Sequence, residues 1–380
     1  MTTTLRHAAG SLLVVGLGGT ELTRLERAWL RLVRPGGVIL FRRNIADARQ
    51  ARGLLNDATA QCAADSFRCV DVEGGSVDRL REALGPMASA QAVARAAEMR
   101  GNLTLAKRHG GLIGRAVRAF GFNTTLAPVL DLALPESAAV MGTRVAARDA
   151  GGVVRYARAM LQGLESQGVA GCGKHFPGLG AGSLDSHVET PKILRTWNEL
   201  WTEDLEPYRA LCDELPMVMV NHAAYPMAAG KARPASVSAF WMTTVLRKRI
   251  GYTGIIFSDD LEMGGILKFM SIEDAVVEAV RAGMDTMEIC HSPELILRGY
   301  EGLLREGEKS AMFRKMLLQR AQSVGRKRAK MFKIGTGAAM SEKQLAALRE
   351  RILRFDDEVR QPGDSSSGAE SRLGKHVEAT

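Results

Sequence analysis

Cysteine is scarce in this chain: the 380 residues hold five, Cys62, Cys69, Cys172, Cys212 and Cys290, an odd number, far apart and mostly inside apolar runs. No Cys-x-x-Cys pair and no tetrahedral His/Cys set suggests a metal, and disulfides are not expected, so they read as small core residues in a reducing, cytoplasmic setting. Apolar runs long enough to cross a bilayer, roughly 18 residues, are absent as well. There is no internal repeat. The GLGG at 16–19 lacks the rest of a dinucleotide fingerprint and reads as a tight strand-to-helix turn.

Acidic residues are missing from one stretch. Between Lys309 and Lys333 nine basic residues occur with no Asp or Glu, which equals the formal net charge of +9 for the whole chain, so the remainder is balanced. With Met312, Met316 and Leu317 at helical spacing, the expected form is a solvated helix face followed by a polar turn. No interleaved aromatics or DNA-reading motif accompany the charge, so a nucleic-acid partner is not expected.

What is present is an ordinary globular composition, 46% hydrophobic and 24% charged, long enough to bury a large core. β-rich apolar runs at 12–16, 37–41, 67–71, 124–130, 169–173, 216–221, 253–258 and 286–290 alternate with helical periodicity at 21–33, 46–60, 90–109, 152–167, 197–213, 239–250, 272–282 and 293–307. Eight strand–helix pairs point to an α/β fold, a (β/α)8 barrel over residues 1–333; a doubly wound sheet is the alternative. The run at 12–16 also resembles a short secretory apolar region, but as a strand it completes the barrel. Ser341 with Gln344 forms a capping-box pattern ahead of a short helical extension over 334–358, and the polar stretch 359–380 is expected to be a disordered tail.

Most of these strands end in polar residues, among them Asp71-Val72-Glu73, Asp131, Lys174-His175, Asn221-His222, Asp259-Asp260 and His291. In a parallel barrel those ends share one rim, where active sites are built. The densest chemistry is KHFPGLGAGSLDSH, Lys174 to His187. Asp185 two residues before His187 can fix the imidazole tautomer and raise its pKa, making it a general acid and then a base, or can simply stabilise a loop. Asp259 closes the Ile-Ile-Phe run as a candidate carboxylate nucleophile, and Asp260 could equally cap the next helix. Alternation puts the two on opposite faces without saying which one faces the axis.

Together KHFPG…DSH, FSDDLEM, DVEGGSVDRL, APVLDL and GGVILFRRNI, in order from about Leu12 to about Cys290, resemble glycoside hydrolase family 3, and within it the single-domain bacterial β-N-acetylglucosaminidases that act on muropeptides. The resemblance implies a barrel in which Asp259 attacks the anomeric carbon and His187, paired with Asp185, protonates the leaving oxygen and later activates water, with retention. By motif match Asp71 and Arg79 would hold sugar hydroxyls, Arg144 would reach the same ring, and Lys174 and His175 would line its other edge. For Arg79 a surface helix position competes. A monomeric cytoplasmic enzyme is implied, with a GlcNAc-containing muropeptide as substrate, no cofactor or metal, and no membrane or nucleic-acid partner. Leu179 and Ala181 depart from the family's usual KHFPGHGD, Ser76 from EGGRV, and Glu262 from a smaller residue.

Overall fold

The eight apolar runs become eight parallel strands that close on one another: β1 Leu13–Gly16, β2 Gly37–Leu40, β3 Phe67–Val70, β4 Thr124–Thr125, β5 Ala170–Phe176, β6 Met217–Val220, β7 Ile255–Asp260 and β8 Thr286–Ile289, with β8 pairing back onto β1. This is the (β/α)8 barrel, not the doubly wound sheet. The computed structural model of the chain describes residues 4–182, 190–333, 335 and 337–360. Strands buried on both faces need continuous apolar runs, which is why LVV, GVIL and MVMV read so clearly.

β4 is shorter than its run. Leu126 N still donates to Val70 O and Val129 still bridges Lys174, but Pro128 between them has no N–H for the ladder. The helical stretch expected at 90–109 is two helices, Ala90–Met99 and Thr104–Ala119, parted where Gly101 turns left-handed at φ 57° and Asn102 Oδ1 accepts the Thr104 amide. Two further elements precede or follow strands without a clear sequence signal. A helix, Leu5–Ser11, lies ahead of β1, and a small hairpin, Val72–Gly74 with Val77–Asp78, follows β3. Gly74 is required there: it sits at φ 89°, and a Cβ would come within 2.1 Å of the Ala88 carbonyl oxygen.

The basic segment is not simply a solvated face. It forms the helix Ala311–Met331, which buries Phe313, Leu317 and Val324 and lies across the amino-terminal ends of the strands. Arg328 Nη1 donates to the carbonyls of Ser11 and Gly36, Lys327 Nζ to that of Gly254, and Arg320 Nη1 to that of Gly283. Those carbonyls sit at strand entries with few ladder partners, so long cationic side chains satisfy them. Asp285, 4% exposed, ties the end together by accepting from Arg247 Nη2 at 2.5 Å, Arg320 Nη1 at 2.9 Å and the Ile256 amide at 3.0 Å. Asp285→Ala is expected to cost about 2–3 kcal/mol, below the figure for a fully buried pair because both guanidiniums are partly exposed; urea unfolding checks it.

The helix Glu342–Val359 starts with the Ser341/Gln344 capping box and buries Leu348, Ile352, Phe355 and Val359. It packs on Thr104–Ala119, where Arg108 grips Glu358 through both oxygens at 2.8 Å. Residues 361–380 lie outside the described residues, so the expectation of a tail is not addressed by the structure.

Candidate active site

The strand ends converge on a cavity of about 280 Å³ at the carboxyl-terminal mouth of the barrel. Its wall includes Asp71 after β3, Arg79 beyond the hairpin, Arg144, Lys174 and His175 on β5, and Asp259 and Asp260 on β7. Six of the eight residues singled out from the sequence therefore meet in one place. Asp185 and His187 lie outside the described residues.

Lys174 is 4% exposed and sits between two carboxylates, its Nζ 2.8 Å from Asp71 Oδ1 and 2.6 Å from Glu73 Oε1. Arg144 meets Glu73 with both forks, Nε to Oε2 at 2.8 Å and Nη2 to Oε1 at 2.9 Å, a planar match that Lys could not make. Burial alone would push the Glu73 carboxyl up, but Arg144 and Lys174 outweigh it and hold the group down at about 2. The same carboxylates keep Lys174 and Arg144 more firmly protonated than usual, against burial. Both cations are thus pinned and charged at the cavity wall.

His175 is fixed at both nitrogens. Nδ1 lies 2.6 Å from Asp131 Oδ2, and Nε2 lies 3.3 Å from Arg144 Nη2. A carboxylate only accepts, so Nδ1 carries a proton toward Asp131, and Nε2 accepts a hydrogen bond from Arg144 Nη2. Asp131 also accepts the amides of His175 and Leu179, which moulds the KHFPG turn around it. Leu179, where a His is usual, keeps this backbone contact and adds an apolar side chain to the cavity lining.

Asp259 is half-buried, and its Oδ1 accepts the Asp260 amide at 3.0 Å. Burial would raise its pKa, but His175, His222 and Lys174 face it and lower it below the usual carboxylate value, so it is anionic. His222 donates Nε2–H to the Asp260 carbonyl, with Nδ1 2.7 Å from Ser236 Oγ, and burial keeps it below its ordinary pKa. Asp260 does not cap a helix: its Oδ1 accepts the Glu262 amide within the turn, and the helix Gly264–Leu267 has Met263 at its cap. Glu262 in turn accepts the amides of His291 and Ser292, joining the loops after β7 and β8.

Arg79 is 7% exposed, lines the cavity and places its guanidinium 5.6 Å from the Phe41 ring centroid; the surface alternative is therefore wrong for it. Phe41 also meets His291, ring centroids 5.2 Å apart. The strand-end pattern put Glu73, Asp131 and His222 on the rim without giving them a role, and Glu288 was missed altogether. Glu73 had a signal, since its i, i+2 spacing from Asp71 puts both on one side of a strand. Glu288 had another, a lone charge inside the apolar TMEIC. Among the described residues no group of three or more His, Cys, Asp and Glu is placed to hold a metal ion.

A family profile described as the N-terminal domain of glycosyl hydrolase family 3 matches residues 4–324. A beta-hexosaminidase of Stenotrophomonas maltophilia is 36% identical over 288 residues, covering 75% of this chain and 84% of that protein. Among solved structures, a glycoside hydrolase family 3 beta-N-acetylglucosaminidase from Paenibacillus sp. superposes with a TM-score of 0.83 at 29% identity, over 93% of this chain and 69% of that one. NagZ from Neisseria gonorrhoeae does so with 0.75 at 28% identity, over 92% and 98%.

Proposed function

The chain belongs to glycosyl hydrolase family 3 and is a glycoside hydrolase acting on O-glycosyl bonds, and from that premise we propose that it is a retaining exo-β-N-acetylglucosaminidase releasing terminal GlcNAc from muropeptides. The observation that carries the reading is Asp259: an anionic carboxylate at the end of β7, facing a cavity whose opposite wall is an array of buried, charged hydroxyl-binding groups. Its oxygen attacks the anomeric carbon as the bond to the aglycone oxygen breaks, forming a glycosyl-aspartate that water then hydrolyses, so configuration is retained. A cavity near the lower end of the roughly 300–1,000 Å³ usual for ligand sites holds one sugar ring, which favours removal of a terminal residue. The hexosaminidase relatives favour the 2-acetamido sugar.

Asp71 accepts and Lys174, Arg144 and Arg79 donate toward ring hydroxyls, while Glu73 and Asp131 hold those donors and His175 in place. His187 protonates the leaving oxygen and then deprotonates water, with Asp185 holding its other nitrogen. Supporting this, the chain reaches Gly182 three residues past the cavity-lining Leu179, and on the other side Thr190 Oγ1 donates to the carbonyl of Gly265, beside the cavity-lining Gly264. The lactyl or peptide carboxylate of a muropeptide would repel a second carboxylic acid at that position and tolerates an imidazole. His187→Glu retaining full activity on anionic muropeptides would remove that argument.

His187→Ala is expected to lower kcat/KM by about 10²–10⁴-fold for a poor aryl leaving group and far less for dinitrophenol, which needs no proton in the first step, while kcat falls on both because the second step loses its base. Equal losses of kcat/KM on both would count against His187 as the acid. The free cysteines are consistent with a cytoplasmic enzyme. No helix among the described residues is long and apolar enough to cross a membrane. We place catalysis within residues 1–333 of a monomer, with the helical extension that ends at Val359 outside the chemistry. Release of an aryl group from the GlcNAc glycoside but not the glucose glycoside, unaltered by added phosphate, tests the whole reading.

A further inference from the structure

Glu288 stands apart from the other acidic groups of the cavity because one of its carboxyl oxygens has no hydrogen-bond partner among the described residues. It lies on β8, is 3% exposed, and its backbone amide donates to Ser258 Oγ at 3.0 Å. Its side chain lines the cavity beside Asp71, Lys174, Asp259 and Cys290. Among the described residues no hydrogen-bond partner reaches Oε1, although that atom is shut off from solvent. A buried polar atom left in this state costs about 1–3 kcal/mol, and the neighbouring strand position in most barrels is filled by an apolar side chain without that cost.

Burial first, and then the nearby Asp71, Asp260 and Asp259, push the Glu288 carboxyl well above its ordinary pKa, with Lys174 opposing only in part. A carboxyl shifted in that direction holds its proton more readily than the carboxylates around it. Asp71 can only accept and Lys174 can only donate, but a neutral carboxyl does both, which suits a hydroxyl that must give and receive a hydrogen bond at once.

Resting on the glycosidase reading above, we propose that Glu288 is a specificity-determining residue whose carboxyl hydrogen-bonds a hydroxyl of the bound sugar from the β8 wall of the cavity. The contact explains why an acid with an unpartnered oxygen is kept where an aliphatic side chain would pack.

The test uses the purified full chain, an aryl β-GlcNAc glycoside, and its analogues lacking in turn the hydroxyl on carbon 3, 4 or 6. Glu288→Gln, which keeps both a donor and an acceptor, is expected to stay within about threefold of wild type in kcat/KM. Glu288→Met, similar in length and unable to hydrogen-bond, is expected to lose about tenfold on the parent, and that loss shrinks to near nothing on one analogue only. Glu288→Ala replaces Met if thermal unfolding shows that the Met variant does not fold. Loss spread equally over the parent and all analogues, or no loss at all, overturns the inference. Wild type without turnover on the parent overturns the glycosidase reading, and this inference with it.

Discussion

Asp259→Asn is expected to reduce kcat for aryl β-GlcNAc hydrolysis by about 10⁴-fold or more, while KM changes by less than about tenfold. Asn is the same size and still accepts the Asp260 amide through its side-chain oxygen, so the cavity keeps its shape. What disappears is the negative charge that His175, His222 and Lys174 face, and with it the oxygen able to bond to the anomeric carbon. A fluorinated glycosyl donor whose hydrolysis is slow should leave a sugar mass on the peptide containing Asp259 in wild type and none in the variant. Asp260→Asn serves as the contrast. Its carboxylate braces the Glu262 amide and lies 3.4 Å from His291 Nε2, so a loss of about tenfold is expected. If the two variants lose activity alike, or Asp259→Asn keeps a tenth of the wild-type rate, the double-displacement scheme is wrong.

Glu73→Ala is expected to cost about 3–5 kcal/mol of folding stability and about 100-fold or more in kcat/KM. Glu73 is 2% exposed and is the group that Arg144 grips with both forks and that Lys174 approaches most closely. Without it Lys174 keeps only Asp71, Arg144 loses both of its carboxylate contacts, and the alignment of both toward a ligand is lost. Glu73→Gln isolates the charge, and pH gives the sign. The folded carboxyl titrates near 2, below its unfolded value of about 4.5, so its stabilising effect is complete above about pH 4.5 and is lost as pH falls toward 2. Over that window the wild-type unfolding free energy should fall by about 3 kcal/mol more than that of the Gln variant. Parallel curves in denaturant titrations from pH 5 to pH 2.5 would show that the charge is not what matters.

The strands were the most legible part of the molecule because a barrel strand is buried on both sides and announces itself as an unbroken apolar run; MVMV and GVIL needed no context. Legibility failed where backbone geometry depended on a single residue. Pro128 cut β4 short, Gly101 split one helical stretch in two, and the hairpin at 72–78 is too brief for any period to show. The basic helix at 311–331 is the solvated helix that its pattern suggests over most of its basic residues, but Arg328 is buried and Arg320 and Lys327 turn inward to strand-entry carbonyls. The carbonyls that Arg328 caps belong to residues 317 and 292 positions away in the chain, and no local pattern signals them.

The site divides in the same way. The residue types and the order of the motifs were enough to establish the family, the barrel, and Asp71, Arg79, Arg144, Lys174, His175 and Asp259 as residues to watch, because each is a polar group placed against an apolar background. Only the closed barrel made neighbours of groups 103 residues apart, such as Asp71 and Lys174, and showed that Glu73 and Asp131 are their counter-charges. It also put Glu288 at the cavity wall with one carboxyl oxygen unpartnered among the described residues. Charge pairing, burial and the resulting protonation states depend on distance through space in a medium of low dielectric constant, and a linear sequence carries composition and period but not those distances.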